Sequence, residues 1–420
     1  MSTPAPTSTT PRLLSLAIRL REANMFMVLV TSLLIGMLFG AILIIVTTST
    51  LTTSWSHFFS HPGATIALSF NTVWFAYEQI FYGAIVNFHS LRLLVDDPTK
   101  ANWATFLAPI SATLAYATPL IVAGLGLAVG FRSNLFDIGG QGQVVAGGIM
   151  TVLVGFSWHI NPVVQVLCEM FVAMAAGALL AGLAGVLKAY TGAHEVIVTM
   201  MTNYIVALIL SYLLIQNLFA RPGVHDGASK TINPSGQLPF LLAHLSPALT
   251  LNFGLFIAIA AVFAVQWYFN RSKTGFEALM VGQNPDAART AGINAKRVVV
   301  TTMTIAGALL GLAGMLELTG VDHFMSPNFG GSYGFDAITV ALLGRSKPWG
   351  VFFGALFFGV MFVGGNAMQA YTPTSIQFSL AQVIQAVVVF CVATPALVIE
   401  IFRLRDRGKV AAASTAGGWV

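Results

Sequence analysis

Ten apolar runs, nine of them twenty residues or longer, dominate this chain, and almost every charge is confined to the short segments between them. A helix needs about 20 apolar residues to cross the ~30 Å hydrocarbon layer of a membrane. No water satisfies peptide groups inside that layer, so such a run must close its own hydrogen bonds as a helix. Runs at 26–46, 107–130, 136–157, 163–187, 196–218, 251–270, 298–319, 335–344, 351–371 and 376–400 therefore predict about ten spans. The stretch 335–344 is too brief to stand alone and predicts a half-helix or broken helix packed among its neighbours. Only 8% of the 420 residues are charged, which leaves no material for a large water-soluble domain. The expected fold is all-α, a polytopic transmembrane helix bundle over 25–402, flanked by cytoplasmic segments at 1–24 and 403–420.

Charge placement orients the bundle. With the N-terminus inside, sixteen of the twenty Lys and Arg fall on the cytoplasmic side, and only Arg92, Lys100, Arg221 and Lys230 fall outside. That excess follows the positive-inside rule and places both termini in the cytoplasm. Trp55, Trp103, Trp158 and Trp267 sit near predicted span ends, as an interfacial aromatic belt requires. The first run is too long for a signal-peptide core, and "VTTST" after it lacks a cleavage site, so it reads as a retained anchor. Small residues recur four apart at Gly36/Gly40, at Ala173/Gly177/Ala181/Gly185, at Gly307/Gly311 and at Gly350/Gly354, a spacing that lets helices approach closely.

Several function classes fall away. The basic residues are spread over loops rather than gathered on one face, which argues against a nucleic-acid partner. His194-Glu195 lacks the second histidine of a zinc-protease helix, and the only Gly-Lys pair, Gly408-Lys409, lacks the rest of a phosphate-binding loop. The chain reads as a non-enzyme with no bound cofactor or metal. Cys168 and Cys391 lie inside apolar runs and read as small buried side chains.

Two polar interruptions remain. "RSNLFDIGGQGQ" (132–143) brings Asn134, Asp137, Gln141 and Gln143 together with three glycines, a composition that breaks a helix and exposes amides. It reads either as a polar element of a solute path or as a tight turn capped by Asn134 and Asp137. Its part "FDIGGQGQ" (136–143) echoes "FDAITVAL" (335–342), a faint sign of inverted repeats. The second interruption, "VGQNPDAARTAGIN" (281–294), lies in a basic loop at 271–297. Asn284 suits a helix cap, Pro285 the first turn, Asp286 the positive end and Gly292 the stop. Its body of Ala287, Ala288 and Ala291 has no large apolar face to bury, which leaves a surface helix or one that inserts into a partner. Glu195, Asn203, Asn366, Gln382 and Gln385 are further polar positions that either line a route or bond between helices.

Four stretches, "GFRSNLFDIGGQGQVVAGG", "GAHEVIVTMMTNYIV", "TGFEALMVGQNPDAARTAGI" and "YGFDAITVALLGRSKPWG", occur in this order. In them the chain resembles the permease subunits of ABC importers of the branched-chain amino acid, simple sugar and nucleoside group, and most of all those of nucleoside systems served by a binding lipoprotein. The resemblance implies a type II importer fold in the bacterial inner membrane and makes Gly282, Asn284, Pro285, Asp286, Ala287, Ala288, Arg289 and Gly292 the coupling segment. It further implies an ATPase subunit holding ATP and Mg, a second and different permease, an external solute-binding lipoprotein, and a solute route shaped by Asn134, Asp137, Gln141, Gln143, Glu195, Asn203 and Asp336. Three positions depart from the pattern: Asp137 replaces an asparagine, Gln141 a glutamate and Leu279 an arginine. Nucleosides are the leading solute, with simple sugars as the alternative. The rivals are a carrier driven by an ion gradient, for which Asp137 with Asp336 is the available carboxylate pair, and a membrane subunit that transports nothing.

Overall fold

The computed structural model describes residues 25–223, 227–371 and 376–393; the expected flanking segments 1–24 and 403–420 lie outside them, as does the end of the last run. Among the described residues the regular elements are helices, joined by turns and irregular segments, with two isolated bridges, Ala220 with Ser229 and Phe240 with Asn252. In chain order the helices are α1 (Met25–Thr47), α2 (Ser49–Ser56), α3 (Pro62–Ala84), α4 (Phe88–Asp96), α5 (Lys100–Arg132), α6 (Gly140–Ser157), α7 (Pro162–Thr191) and α8 (Glu195–Leu214). There follow α9 (Gly254–Arg271), α10 (Lys273–Gln283), α11 (Pro285–Thr290), α12 (Ala295–Glu317), α13 (Tyr333–Leu343), α14 (Pro348–Tyr371) and α15 (Phe378–Ala393).

Each of the ten apolar runs contains one of these helices. Among the described residues six helices, α5, α7, α8, α9, α12 and α14, are long and apolar enough to cross a membrane, or seven if α1 and α2, bent by 75°, count as one broken span. That is fewer than the ten expected, because the remaining runs form α6, α13 and α15, of which α13 has only eleven residues. The run at 335–344 is thus the short helix its length requires. Helices α3 and α4 were not legible as apolar runs: Asn71, Glu78 and Gln79 dilute the first, and the second is short and amphipathic.

Contacts divide the chain into two units, one of residues 70–378 and one of 1–69 with 379–420. In the described part of the smaller unit, Gly36 of α1 meets Val388 of α15 so closely that a methyl group there would collide with a Val388 methyl. The Trp55 indole donates to Ser69 Oγ at 3.1 Å and fastens α2 onto the start of α3.

The larger unit is built around α12. Its Gly307 and Gly311 lie against the backbone of Ala173 and Gly177 in α7, and Gly314 lies against Val144 in α6. A side chain at any of the three would strike a carbonyl oxygen of the facing helix. The rows of small residues are therefore two faces of one contact, and van der Waals approach of backbones is what holds helices together in lipid. Helix α5, whose residues from Ala117 to Gly130 are all buried, packs on another side of α12, with Gly126 near the Ala306 carbonyl. By contrast α8 leaves Tyr204, Leu208 and Tyr212 exposed. Trp55, Trp103, Trp158 and Trp267 are all exposed near helix ends, as the belt reading requires.

The segment after α8 folds back over the helix ends. Leu238 N donates to Thr319 O at 2.9 Å, Asn233 N to Gly155 O at 3.0 Å, and Leu251 N to Ser111 Oγ at 2.9 Å. The first two satisfy carbonyls at the ends of α12 and α6, and the third ties the segment to a hydroxyl inside α5. Substituting Gly311→Ala is expected to force the α7 and α12 backbones apart and cost about 1–3 kcal/mol. Gly63→Ala, where nothing lies within 4 Å, is the control. Thermal unfolding of the purified proteins in detergent should show a lowered midpoint for the first and none for the second.

Candidate functional site

The loop 271–297 folds into two short helices, α10 and α11. Asn284 caps α11: its side-chain oxygen accepts from Asp286 N at 3.1 Å and Ala287 N at 3.0 Å. Pro285 occupies the first helical position, and Gly292 ends the turn at φ +83°, a conformation natural only to glycine. Residues 284–287 and 289–292 are exposed. Arg289 lies 3.9 Å from Asp286, a surface pair of little weight.

One expectation needs correction. Ala288 is only 3% exposed and packs with Ala278, Val281 and Val298, so the body of α11 does bury one side chain, against its own chain. That contact fixes α11 on α10 and α12. A charge at Ala288 would therefore disrupt the loop itself, and the exposed Ala287 is the position that probes a partner. Behind α11, Gly282 at the end of α10 is pressed against the turn after α5: a methyl group there would lie 2.7 Å from the Ser133 carbonyl carbon and 2.9 Å from Arg132 O. The Arg132 guanidinium lies 4.3 Å over the Phe269 ring of α9 and holds the same turn from another side.

That turn carries the second polar interruption. Asn134 adopts φ +55° and is exposed, so it shapes the turn. Asp137 is 1% exposed and accepts from Gly139 N at 2.7 Å and from Gln143 Nε2 at 2.8 Å. Asn203 of α8 reaches across, accepting from Gly142 N at 2.7 Å and donating to Ile138 O at 2.8 Å, while Thr199 Oγ1 accepts from Ile138 N at 3.3 Å. Asp137, Gln143 and Asn203 are thus one network that satisfies the free amides at the start of α6. Gln143 Oε1 is buried with no partner.

Gln141 points elsewhere. Its side-chain oxygen accepts from Gly334 N at 2.8 Å, in the first turn of α13. The starts of α6 and α13 meet here with Gly334 against the Gln141 backbone, so the two segments that echo each other in sequence touch in space. Asp336 is bonded by Ser332, its neighbour one turn back. Glu195 stands apart from this junction: it pairs with Lys188 at 2.7 Å and staples the turn between α7 and α8.

Two acidic residues escaped the reading of the sequence although each lies within an apolar run. Glu169 of α7 is buried beside Gln165, whose amide donates to it at 3.2 Å. Ser235 donates to the Gln165 carbonyl at 2.7 Å, which ties this pair to the segment after α8. Glu317 ends α12 and is 6% exposed; a five-residue π turn, Leu318–Asp322, follows it. An ionisable side chain within a predicted span is the signal that marks both.

Broken spans, a capped surface helix and polar groups at the breaks define a membrane transport component. The chain matches the family model "Branched-chain amino acid transport system / permease component" over residues 110–393. It is 33% identical over 361 residues to a nucleoside ABC transporter permease of Lactococcus lactis subsp. cremoris, covering 84% of this chain and 92% of the relative. It is also 32% identical over 290 residues to a guanosine ABC transporter permease of Bacillus subtilis, covering 68% and 81%. A glucose ABC transporter permease of Haloferax volcanii is 31% identical over 312 residues, covering 71% and 81%. No solved structure matches. The protein belongs to this family of ABC transporter permeases and is a multi-pass membrane protein.

Replacing Asn203 by alanine would strand Gly142 N and Ile138 O inside the bundle. The expected loss is about 1–3 kcal/mol per unsatisfied group. It should appear as a lower thermal midpoint in detergent; Asn203→Asp, which keeps the acceptor for Gly142 N but turns an oxygen toward Ile138 O, should not restore it.

Proposed function

We propose that this chain is one membrane half of an ATP-driven importer of nucleosides, moved by a separate ATPase subunit that grips α11. The observation that carries the reading is the build of that helix. It is capped by Asn284, exposed everywhere but at Ala288, and backed by Gly282 on the turn that leads into α6. A push on α11 would reach that turn through backbone contact and, through the Asp137 and Asn203 network, the junction of α6 with α13. ATP and Mg belong to the partner subunit. A second, homologous permease completes the route, and an external lipoprotein delivers the solute.

The chain lies in the bacterial inner membrane with both ends in the cytoplasm. Arg271, Lys273, Arg289, Lys296 and Arg297 in the α9–α12 connection support that orientation, as does the basic pair Arg345 and Lys347 after α13.

Solute choice follows the relatives. Two of them are named for nucleosides or guanosine and a third for glucose, so nucleosides are the first reading and simple sugars the second. A carrier driven by an ion gradient is less well supported. Asp137 accepts from Gly139 N and Gln143 Nε2 with its two oxygens, so one member of the carboxylate pair that such a carrier would use is already engaged within the chain.

The exposed side of α11 supplies the test. Ala287→Glu is expected to leave the permease folded, with an unchanged thermal midpoint, and to abolish ATP-driven uptake and co-purification of the ATPase. Full uptake in that variant would remove the lever. A cysteine at Asp286 should react with impermeant maleimide in inverted vesicles and not in intact cells; the opposite pattern would reverse the orientation.

A further inference from the structure

Glu317 has a feature that helix packing does not explain. Glu317 is 6% exposed inside the larger unit, its Oε2 is buried with no hydrogen-bond partner, and the buried Tyr333 and the side chain of Asp322 are neighbours of its carboxyl. A buried polar atom left unpaired costs about 1–3 kcal/mol, so it demands a reason. Glu169 also keeps one bare oxygen, but it sits in a network that anchors the segment after α8. Glu317 anchors nothing.

Its surroundings are those of a site. The π turn begins at the next residue, and single π turns within helices cluster at functional positions. Thr319 O and Gly320 O in that turn are held by Leu238 N at 2.9 Å and Asn252 Nδ2 at 2.9 Å, so the irregular backbone is fully supported from outside the helix. On its other flank Tyr333 opens α13. That helix has eleven residues, about 16 Å, and the basic residues Arg345 and Lys347 follow its end. Glu317 closes the 23 residues of α12, about 34 Å from the α11 loop where that helix begins, so the carboxyl lies toward the end of the span away from that loop. The half-buried Tyr116 lies beside Tyr333 with ring centroids 5.1 Å apart and stacks on Phe362 at 4.0 Å, forming an aromatic wall.

We propose that Glu317 binds the vicinal hydroxyls of the solute's sugar, with Oε2 accepting one hydroxyl and Tyr333 holding the carboxyl in place. The inference rests on the reading of the chain as a permease for nucleosides or simple sugars. A pair of adjacent hydroxyls is the chemistry that ribose and a hexose share, and a carboxyl group with an unused acceptor suits it. Tyr116 and Phe362 offer the apolar face that a sugar ring or base requires. Polar groups within spans at helix breaks are where transporters place such contacts. The carboxyl is closed off in this conformation, and the switch that opens the route gives solute access to it.

The test uses the complete transporter, permease with its ATPase and binding protein, and compares ATP-driven uptake of guanosine and adenosine with their 2′,3′-dideoxy forms. Glucose and 1,5-anhydro-2,3-dideoxyglucose form a second arm, which identifies whether ribose or hexose is the source of the diol. The binding protein is the same in every variant, so a change in the diol-to-dideoxy ratio reports the permease alone. Glu317→Gln is expected to lower that ratio about tenfold, which corresponds to about 1.4 kcal/mol. Tyr333→Phe should lower it less, by several-fold, because the carboxyl loses its guide and keeps both oxygens. Equal loss of uptake for all solutes with an unchanged ratio would overturn the proposal. Should Glu317→Gln fail to fold, an unchanged ratio in folded Tyr333→Phe overturns it equally. If the wild-type complex imports neither nucleosides nor sugars, the functional reading fails and the site falls with it.

Discussion

The contact on which the rest of the larger unit depends is the bare backbone seam that α12 makes with α6 and α7. Lipid tails are as apolar as leucine, so burial does not drive these helices together; close approach does. Gly307, Gly311 and Gly314 bring no side chain of their own to the seam, and Ala173, Gly177 and Val144 present carbonyl groups to it. Once α12 is held this way its two ends are fixed in place. One end emerges at the α11 loop, and the other carries Glu317 into the π turn.

The polar groups of the site then divide into two sets with different work. Asp137, Gln143, Asn203 and Thr199 satisfy a broken stretch of backbone, and their geometry is closed, apart from the Gln143 carbonyl. Gln141 joins two helix starts to each other. Glu317 belongs to neither set, since its buried Oε2 has no hydrogen-bond partner in the chain. A polar network that is satisfied stabilises; a polar atom that is not marks a place where something else is expected.

Much of this was legible in the sequence because the bilayer restricts what a chain can do. The apolar runs located most of the helices, the brevity of 335–344 marked the short α13, and Asn284 marked the start of α11, whose last residue, Thr290, falls just short of the Gly292 stop. The four-spaced small residues announced close packing. Their pairing across α7 and α12 was not legible, because spacing along one helix says nothing of its neighbour. The burial of Ala288 was hidden for the same reason: an alanine carries no pattern, and only the fold shows that Val281 and Val298 close over it. Asp137 and Gln143 were recognised as a polar break, but whether they face a path or each other depends on the placement of Asn203 sixty residues later. Glu169 and Glu317 did carry a signal, a carboxyl within an apolar run, which short motifs outweighed.

The meeting of Gly282 with the Arg132–Ser133 turn has a wider meaning. Two surfaces made of peptide groups have no rotamers through which to yield, so displacement of one becomes displacement of the other. A linkage of that kind is indifferent to which cargo lies at the far end. On the proposed reading, drive and recognition rest on different material, the first on bare main chain and the second on a handful of side chains, so either can change without the other.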